Sequence, residues 1–159
     1  MRRKLRIVIP FVVLVVAAGL LVTTNASGQQ GLHVVVGGLN AVRAVDVDGD
    51  GLRLGNRIAG RGALFDETQT ERLGTAYLHC IVHKRIVDGD TGLWNCNYVL
   101  ELADGDLVLQ GLDPRGPGVY EISVLGGTGA YAGARGDATF TDVGDDAGTY
   151  TDMEIRLKG

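Results

Sequence analysis

From about position 32 onward, apolar residues recur at every second position in short runs, cut by glycine and aspartate. The last run is the clearest, with Thr151, Met153, Ile155 and Leu157 alternating with Asp152, Glu154 and Arg156. A period of two sends successive side chains to opposite faces of a strand, so this segment predicts one dry face and one wet face. The same pattern predicts strands over Leu32–Val36, Val42–Val47, Arg57–Phe65, Thr75–Val87, Trp94–Leu102, Leu107–Gly111, Val119–Leu125, Ala138–Val143 and Tyr150–Leu157. Helical spacing is nearly absent here. Regular strands with turn residues between them predict one antiparallel sheet, folded as a barrel or a sandwich. No internal repeat or second domain is visible.

The pattern changes ahead of the strands. Arg2, Arg3, Lys4 and Arg6 precede an apolar run, Ile7 to Val22, and small residues follow at Ala26, Ser27 and Gly28. This is the layout of a secretory signal peptide over residues 1–28, with cleavage after Ala26 or Gly28. The alternative is an uncleaved anchor, but a run of 16 residues is short against the roughly 20 that a spanning helix needs. The exported part, residues 29–159, then has the size of a single domain. The leader holds four of the 15 basic side chains and none of the 19 acidic ones. The rest of the chain therefore carries 11 against 19, a net charge of −8. Such a domain lacks the positive field that phosphate backbones require, which argues against nucleic acid as a partner. With the leader removed, no membrane attachment is expected. Both cysteines, Cys80 and Cys96, lie in the exported part. They flank the turn signal Asp88-Gly89-Asp90-Thr91-Gly92 in two strand-like runs, and a turn centred near Asp88 sets them opposite each other. An even count in an oxidising compartment points to a disulfide; two buried thiols are the alternative.

One stretch decides the fold. Ile122 to Leu125 enters Gly126-Gly127-Thr128-Gly129-Ala130-Tyr131-Ala132-Gly133-Ala134-Arg135-Gly136, and Ala138 to Thr141 leaves it. Gly127 to Ala132 fits G-x-G-x-x-A, a dinucleotide signature when a helix follows. Gly133 and Gly136 weaken any such helix by roughly 1 kcal/mol each. The remaining chain is also too short for a nucleotide-binding sheet. The alternative is a glycine-rich corner between two strands. In that reading the stretch resembles the G-G-T-G-x-[FY]-x-x-A-x-G signature of the dirigent and allene oxide cyclase barrel superfamily. The resemblance continues through Leu64-Phe65-Asp66, Arg72-Leu73-Gly74, Cys80, Tyr98, Leu109-Gln110-Gly111 and Ile155-Arg156-Leu157-Lys158-Gly159. It implies an all-β fold, an eight-stranded antiparallel barrel of the dirigent type. The plant cyclases match Cys80 but have no cysteine at position 96.

Residues with chemical potential are few. Asp46-Val47-Asp48-Gly49-Asp50-Gly51 opens like a calcium loop, with Asp46, Asp48 and Asp50 as the weak metal candidates. Its closing position is Arg57 instead of a bidentate glutamate, which favours a plain acidic turn. His79 and His83 stand four residues apart on one face of a strand, roughly 13 Å, too far to share a metal. No nucleophile signature of the serine-hydrolase type is present. The barrel resemblance places Ile58, Cys80 and Trp94 inside a cavity, and alternation adds Leu78 and Tyr98 as lining residues. Candidate acids for the mouth are Asp46, Asp48, Glu101 and Asp113. The family's cavity asparagine is replaced by Gly62, and its N-terminal glutamate has no clear counterpart. The resemblance therefore does not extend to allene oxide cyclisation itself.

What the resemblance implies is a secreted, cofactor-free barrel that holds a small apolar molecule and steers a cyclisation or isomerisation. Orientation in a desolvated pocket would supply most of the effect, with a little acid–base help. Two competitors stand beside it: a non-catalytic binding barrel of the lipocalin sort, and a structural envelope protein with a solid core. Plant relatives are often trimeric, so a homo-oligomer belongs among the expectations.

Overall fold

The computed structural model describes residues 23–24, 30–45, 54–84, 92–114, 118–145 and 148–158. Within them the chain is all β apart from one 3-10 turn. The strands are β1 (Thr23–Thr24), β2 (Gln30–Val45), β3 (Arg57–Asp66), β4 (Arg72–Lys84), β5 (Leu93–Leu102), β6 (Gly105–Asp113), β7 (Gly118–Gly127), β8 (Arg135–Asp145) and β9 (Gly148–Lys158). Each pairs with the next in sequence, and β9 returns to pair with β2 from Gln30↔Leu157 to Gly37↔Tyr150. All neighbours are antiparallel, so β2 to β9 form a closed eight-stranded up-and-down barrel, with β1 a two-residue extension. The two runs expected at Leu32–Val36 and Val42–Val47 are one strand. Its register slips between Gly37 and Asn40 and again between Asn40 and Arg43, which shifts the phase of the alternation and makes one bent strand read as two.

Alternation sorts the side chains. Leu32, Val34 and Val36 on β2, Ile58 and Leu64 on β3, and Met153, Ile155 and Leu157 on β9 all join one buried interior cluster. Intervening residues such as Glu154, Arg156 and Ala59 face outward. Closure pairs every strand from β2 to β9 on both sides, so none of them is an edge strand.

The two ends differ. We call the lower rim the end carrying the turns 67–71, 103–104 and 128–134, and the upper rim the end where β2, β4, β6 and β8 finish. At the lower rim Asp66 accepts from Thr70 and Glu71 backbone N–H groups, each at 2.7 Å, and from Thr68 Oγ1. These bonds, led by the one from Glu71, hold its carboxyl down at about 2. The glycine-rich corner closes the same rim. A 3-10 turn over Gly129–Tyr131 replaces the long helix of the dinucleotide reading, and Tyr131 is buried with the core. Thr128 N and Ala130 N donate to Asp106 O and Asp104 O at 2.9 and 2.8 Å, stapling the β7–β8 corner to the β5–β6 turn. Gly129 has φ +57, and a Cβ there would sit 2.2 Å from Asp104 O. A Cβ on Gly127 would sit 2.4 Å from Asp106 O. Both glycines are therefore demanded by close backbone approach, and at Gly129 also by the left-handed conformation.

His33 fastens the closing seam from outside. Its Nδ1 lies 3.1 Å from Glu67 Oε2 and its Nε2 lies 2.5 Å from Asp152 Oδ1, so one side chain ties β2 to β9 and to the β3–β4 turn. Partial burial lowers the imidazole's proton affinity. The Asp152 hydrogen bond and the charges of Asp152 and Glu67 outweigh it, and the net shift is upward from 6.5.

Two outcomes follow. Gly129→Val should cost several kcal/mol, since backbone atoms would have to move and a β-branched residue at positive φ is a further misfit; unchanged thermal melting would contradict this. A raised folded-state value means that the His33 contribution is complete below the ordinary histidine value and fades as pH climbs through the folded-state one. The melting gap between the native chain and His33→Gln should accordingly be widest at about pH 6 and shrink on going to about pH 9.

Candidate functional site

Polar residues that point inward are concentrated towards the upper rim. Asp113 ends β6 with 1% of its surface exposed, and Asn56, just before β3, is equally buried. Both keep the parity of the apolar residues beside them: Asp113 follows Leu107 and Leu109, and Asn56 precedes Ile58. Cross-strand register lines them up. Val82 N donates to Asn56 O at 2.9 Å, Val82 pairs with Trp94, and Trp94 pairs with Asp113. One row of the interior wall therefore reads Asn56, Val82, Trp94, Asp113.

A chain of hydroxyls and carboxylates crosses the interior from there. Tyr98 on β5 donates its hydroxyl to Asp113 Oδ2 at 3.2 Å. Tyr98 and Tyr120 interact through their hydroxyls, and Tyr120 on β7 donates to Asp142 Oδ2 at 3.4 Å. Thr151 on β9 donates to the other Asp142 oxygen, Oδ1, at 2.7 Å. Phe140 supports both phenols, with its ring centre 5.0 Å from Tyr98 edge-on and 5.6 Å from Tyr120. Burial pushes the Tyr120 phenol far above its ordinary value, and the neighbouring Tyr98, Asp113 and Asp142 push it the same way. Tyr120 therefore stays protonated, with its hydroxyl hydrogen directed at Asp142.

The disulfide lies one row below Asp113. Cys80 and Cys96 are bonded and directly paired in the β4–β5 register, with Cα atoms 4.0 Å apart. That spacing suits the close, non-hydrogen-bonded pair type of an antiparallel ladder. Cys96 Sγ is 3.8 Å from Asp113 Oδ2. A disulfide sulfur has no proton to give, so this contact is packing, and the bridge holds the wall beneath the acid.

The other sequence candidates fall as follows. Ile58, Cys80, Trp94 and Tyr98 are buried, and Leu78, half-buried, packs against the same cluster. Ile58 pairs with Cys80 and Leu78 with Tyr98, so the five share adjoining interior rows. Glu101 is exposed and accepts from Tyr77 Oη at 3.1 Å on the outer wall, away from Asp113. Asp46, Asp48 and Asp50 lie outside the described residues. A Cβ at Gly62 would come within 2.8 Å of Val36 Cγ1, so the place of the family's cavity asparagine is filled by β2. His79 and His83 are exposed on the outer face. Among the described residues no three metal-capable side chains are grouped. Asn56, Tyr120 and Asp142 went unnoticed in the sequence. The signal was there, because Asp142 keeps step with Ala138 and Phe140, and Tyr120 with Ile122 and Val124.

An antiparallel eight-stranded barrel with a glycine-stapled lower rim and a phenol–carboxyl belt inside defines a class. The chain has the dirigent-like barrel fold. Among solved structures it is similar to pyocyanin demethylase, at TM-score 0.66 and 19% identity over 80% of this chain and 99% of that one. It is also similar to a pterocarpan synthase dirigent protein, at TM-score 0.62 and 20% identity over 81% and 86%. A third is an exo-specific intermolecular Diels–Alderase, at TM-score 0.56 and 20% identity over 81% and 98%. No protein-family model and no curated protein matches the chain.

Removing the bridge with Cys80→Ala and Cys96→Ala together should cost about 3 kcal/mol on a chain-entropy estimate for a loop of this length. Denaturant unfolding measures it, and a double mutant as stable as the native chain would contradict the structural role assigned to the bridge.

Proposed function

We propose that the barrel takes a small, largely apolar molecule into its upper interior and steers a cofactor-free cyclisation or isomerisation. Asp113 is the proton acceptor in this reading. Tyr98 orients Asp113 through its hydroxyl, and Tyr120, whose own proton is held by Asp142, presents its hydroxyl oxygen to the same interior. The apolar wall of Ile58, Leu78 and Trp94 would hold the carbon skeleton. The observation that carries the reading is the hydrogen-bonded run from Asp113 through Tyr98 and Tyr120 to Asp142. A carrier or a solid structural core gains nothing from burying Asp113 and Tyr98 and half-burying Asp142 and Tyr120 beside them, because each polar group left imperfectly paired costs about 1–3 kcal/mol. An acid–base site gains an oriented acceptor in a dry setting, where proton transfer contributes about 10²–10⁴-fold.

The fold neighbours support the reading. They include one protein described as a Diels–Alderase and one as a pterocarpan synthase dirigent protein, so this fold houses reactions in which a reactive conformation has to be held. The N-terminal basic and apolar pattern, together with the Cys80–Cys96 bridge, favours export.

Titration of the native chain with small apolar ketones and phenols should shift Trp94 fluorescence. Ile58→Trp, which fills the space beside the bridge, should abolish the response while the fold survives. Asp113→Asn should keep ligand binding and lose about 10²-fold or more of any turnover found. If no member of the panel perturbs Trp94, the interior is packed core and the proposal fails.

A further inference from the structure

Charge is segregated on the outside of the barrel. Strands β2 and β4 carry no acidic residue at all, and the only one on β3 is Asp66 at its lower end. Acids crowd the strands that complete the ring, with Glu121 on β7, Asp137 on β8 and, next to the lower half of β2, Asp152 and Glu154 on β9. In a chain with 19 acidic and 15 basic side chains, three adjacent strands with Asp66 as their one acid are a departure.

Register shows what fills it. Arg43 pairs with Ala59, and Ala59 pairs with His79. Arg57 and Arg61 stand two residues to either side of Ala59, both on the outer face, and Arg43, Arg57, Arg61 and His79 are all exposed. Three guanidinium groups therefore surround a flat alanine floor along about 13 Å of strand. Among the described residues none of the three arginines forms an ion pair. Arg61 pairs across the ladder with Tyr77, whose side chain stays 42% exposed while its hydroxyl is anchored on Glu101. The row through Arg43 and His79 continues into the half-buried amides Asn97 and Gln110.

We propose that this outer face of β2–β4 binds an acidic polysaccharide, one with carboxylates spaced along a chain of sugar rings. Arginine forks match carboxylates with paired hydrogen bonds. The fixed, exposed Tyr77 ring offers an apolar face to the C–H side of a sugar ring. The amides of Asn97 and Gln110 suit the hydroxyls of successive sugar rings. A convex wall with three separated cations also fits a single flexible chain better than a nucleic-acid duplex. The face lies outside the barrel, so this inference stands independently of the interior reaction.

The test uses the purified chain and polygalacturonate as probe, with neutral dextran and vesicles containing phosphatidylglycerol as the other arms. Binding to polygalacturonate should be saturable and weaken as salt rises. Arg57→Glu with Arg61→Glu should weaken it at least about tenfold, whereas Arg135→Glu, at the lower rim, should leave it unchanged. Tyr77→Ala should weaken it while preserving the salt dependence, and circular dichroism should show every variant folded. Equal binding by the double arginine variant, no binding by the native chain, or preference for the vesicles would each overturn the proposal.

Discussion

Closure of β9 onto β2 is the constraint on which the rest of this structure depends. An open sheet would give each strand one face to pack and would leave two edges unpaired. The closed ring gives every strand an inside, and a period of two then assigns each residue to the interior or to water with no third choice. Leu32, Val34 and Val36 face Met153, Ile155 and Leu157 within one core because the seam holds that register over eight pairs. The seam is reinforced where it can be, by His33 bridging Asp152 and Glu67 on the outside.

The same closure makes the interior polar groups expensive, and the molecule meets that cost by joining them to one another. Tyr98, Asp113, Tyr120, Asp142 and Thr151 come from five different strands, and the curvature of the barrel wall turns the inner faces of β5, β6, β7, β8 and β9 towards one another. Each phenol answers a carboxyl. The belt lies towards the upper rim, while Tyr131 and the stapled glycine corner fill the lower one. The asymmetry gives the interior a direction, with a sealed apolar base and a polar upper part.

Much of this was legible in the sequence. Strand placement followed from alternation, and the Cys80–Cys96 pairing followed from symmetry about Asp88. The glycine corner carried enough pattern to reject a dinucleotide helix, and the 3-10 turn at Gly129–Tyr131 agrees. The bent strand β2 was read as two, because its register slips interrupt the period that the eye follows. Asp113 was named as one of four candidate acids, without the parity argument that sets it apart from Glu101. Parity separates them: Glu101 falls out of step with Tyr98, Leu100 and Leu102, while Asp113 stays in step with Leu107 and Leu109. Tyr120, Asp142 and Asn56 were missed for a related reason. A polar residue in an apolar phase looks like the end of a strand until the neighbouring strands show where it points.

The upper interior, bounded by the phenol–carboxyl belt, is the proposed binding space. The most direct measurement is crystallography of the protein under xenon pressure, since xenon occupies dry cavities and leaves packed cores empty. The account predicts a xenon site against Ile58, Leu78 and Trp94, with Asp113 and Tyr120 at its upper boundary. An interior free of xenon, with those side chains interdigitated across the barrel axis, would contradict it.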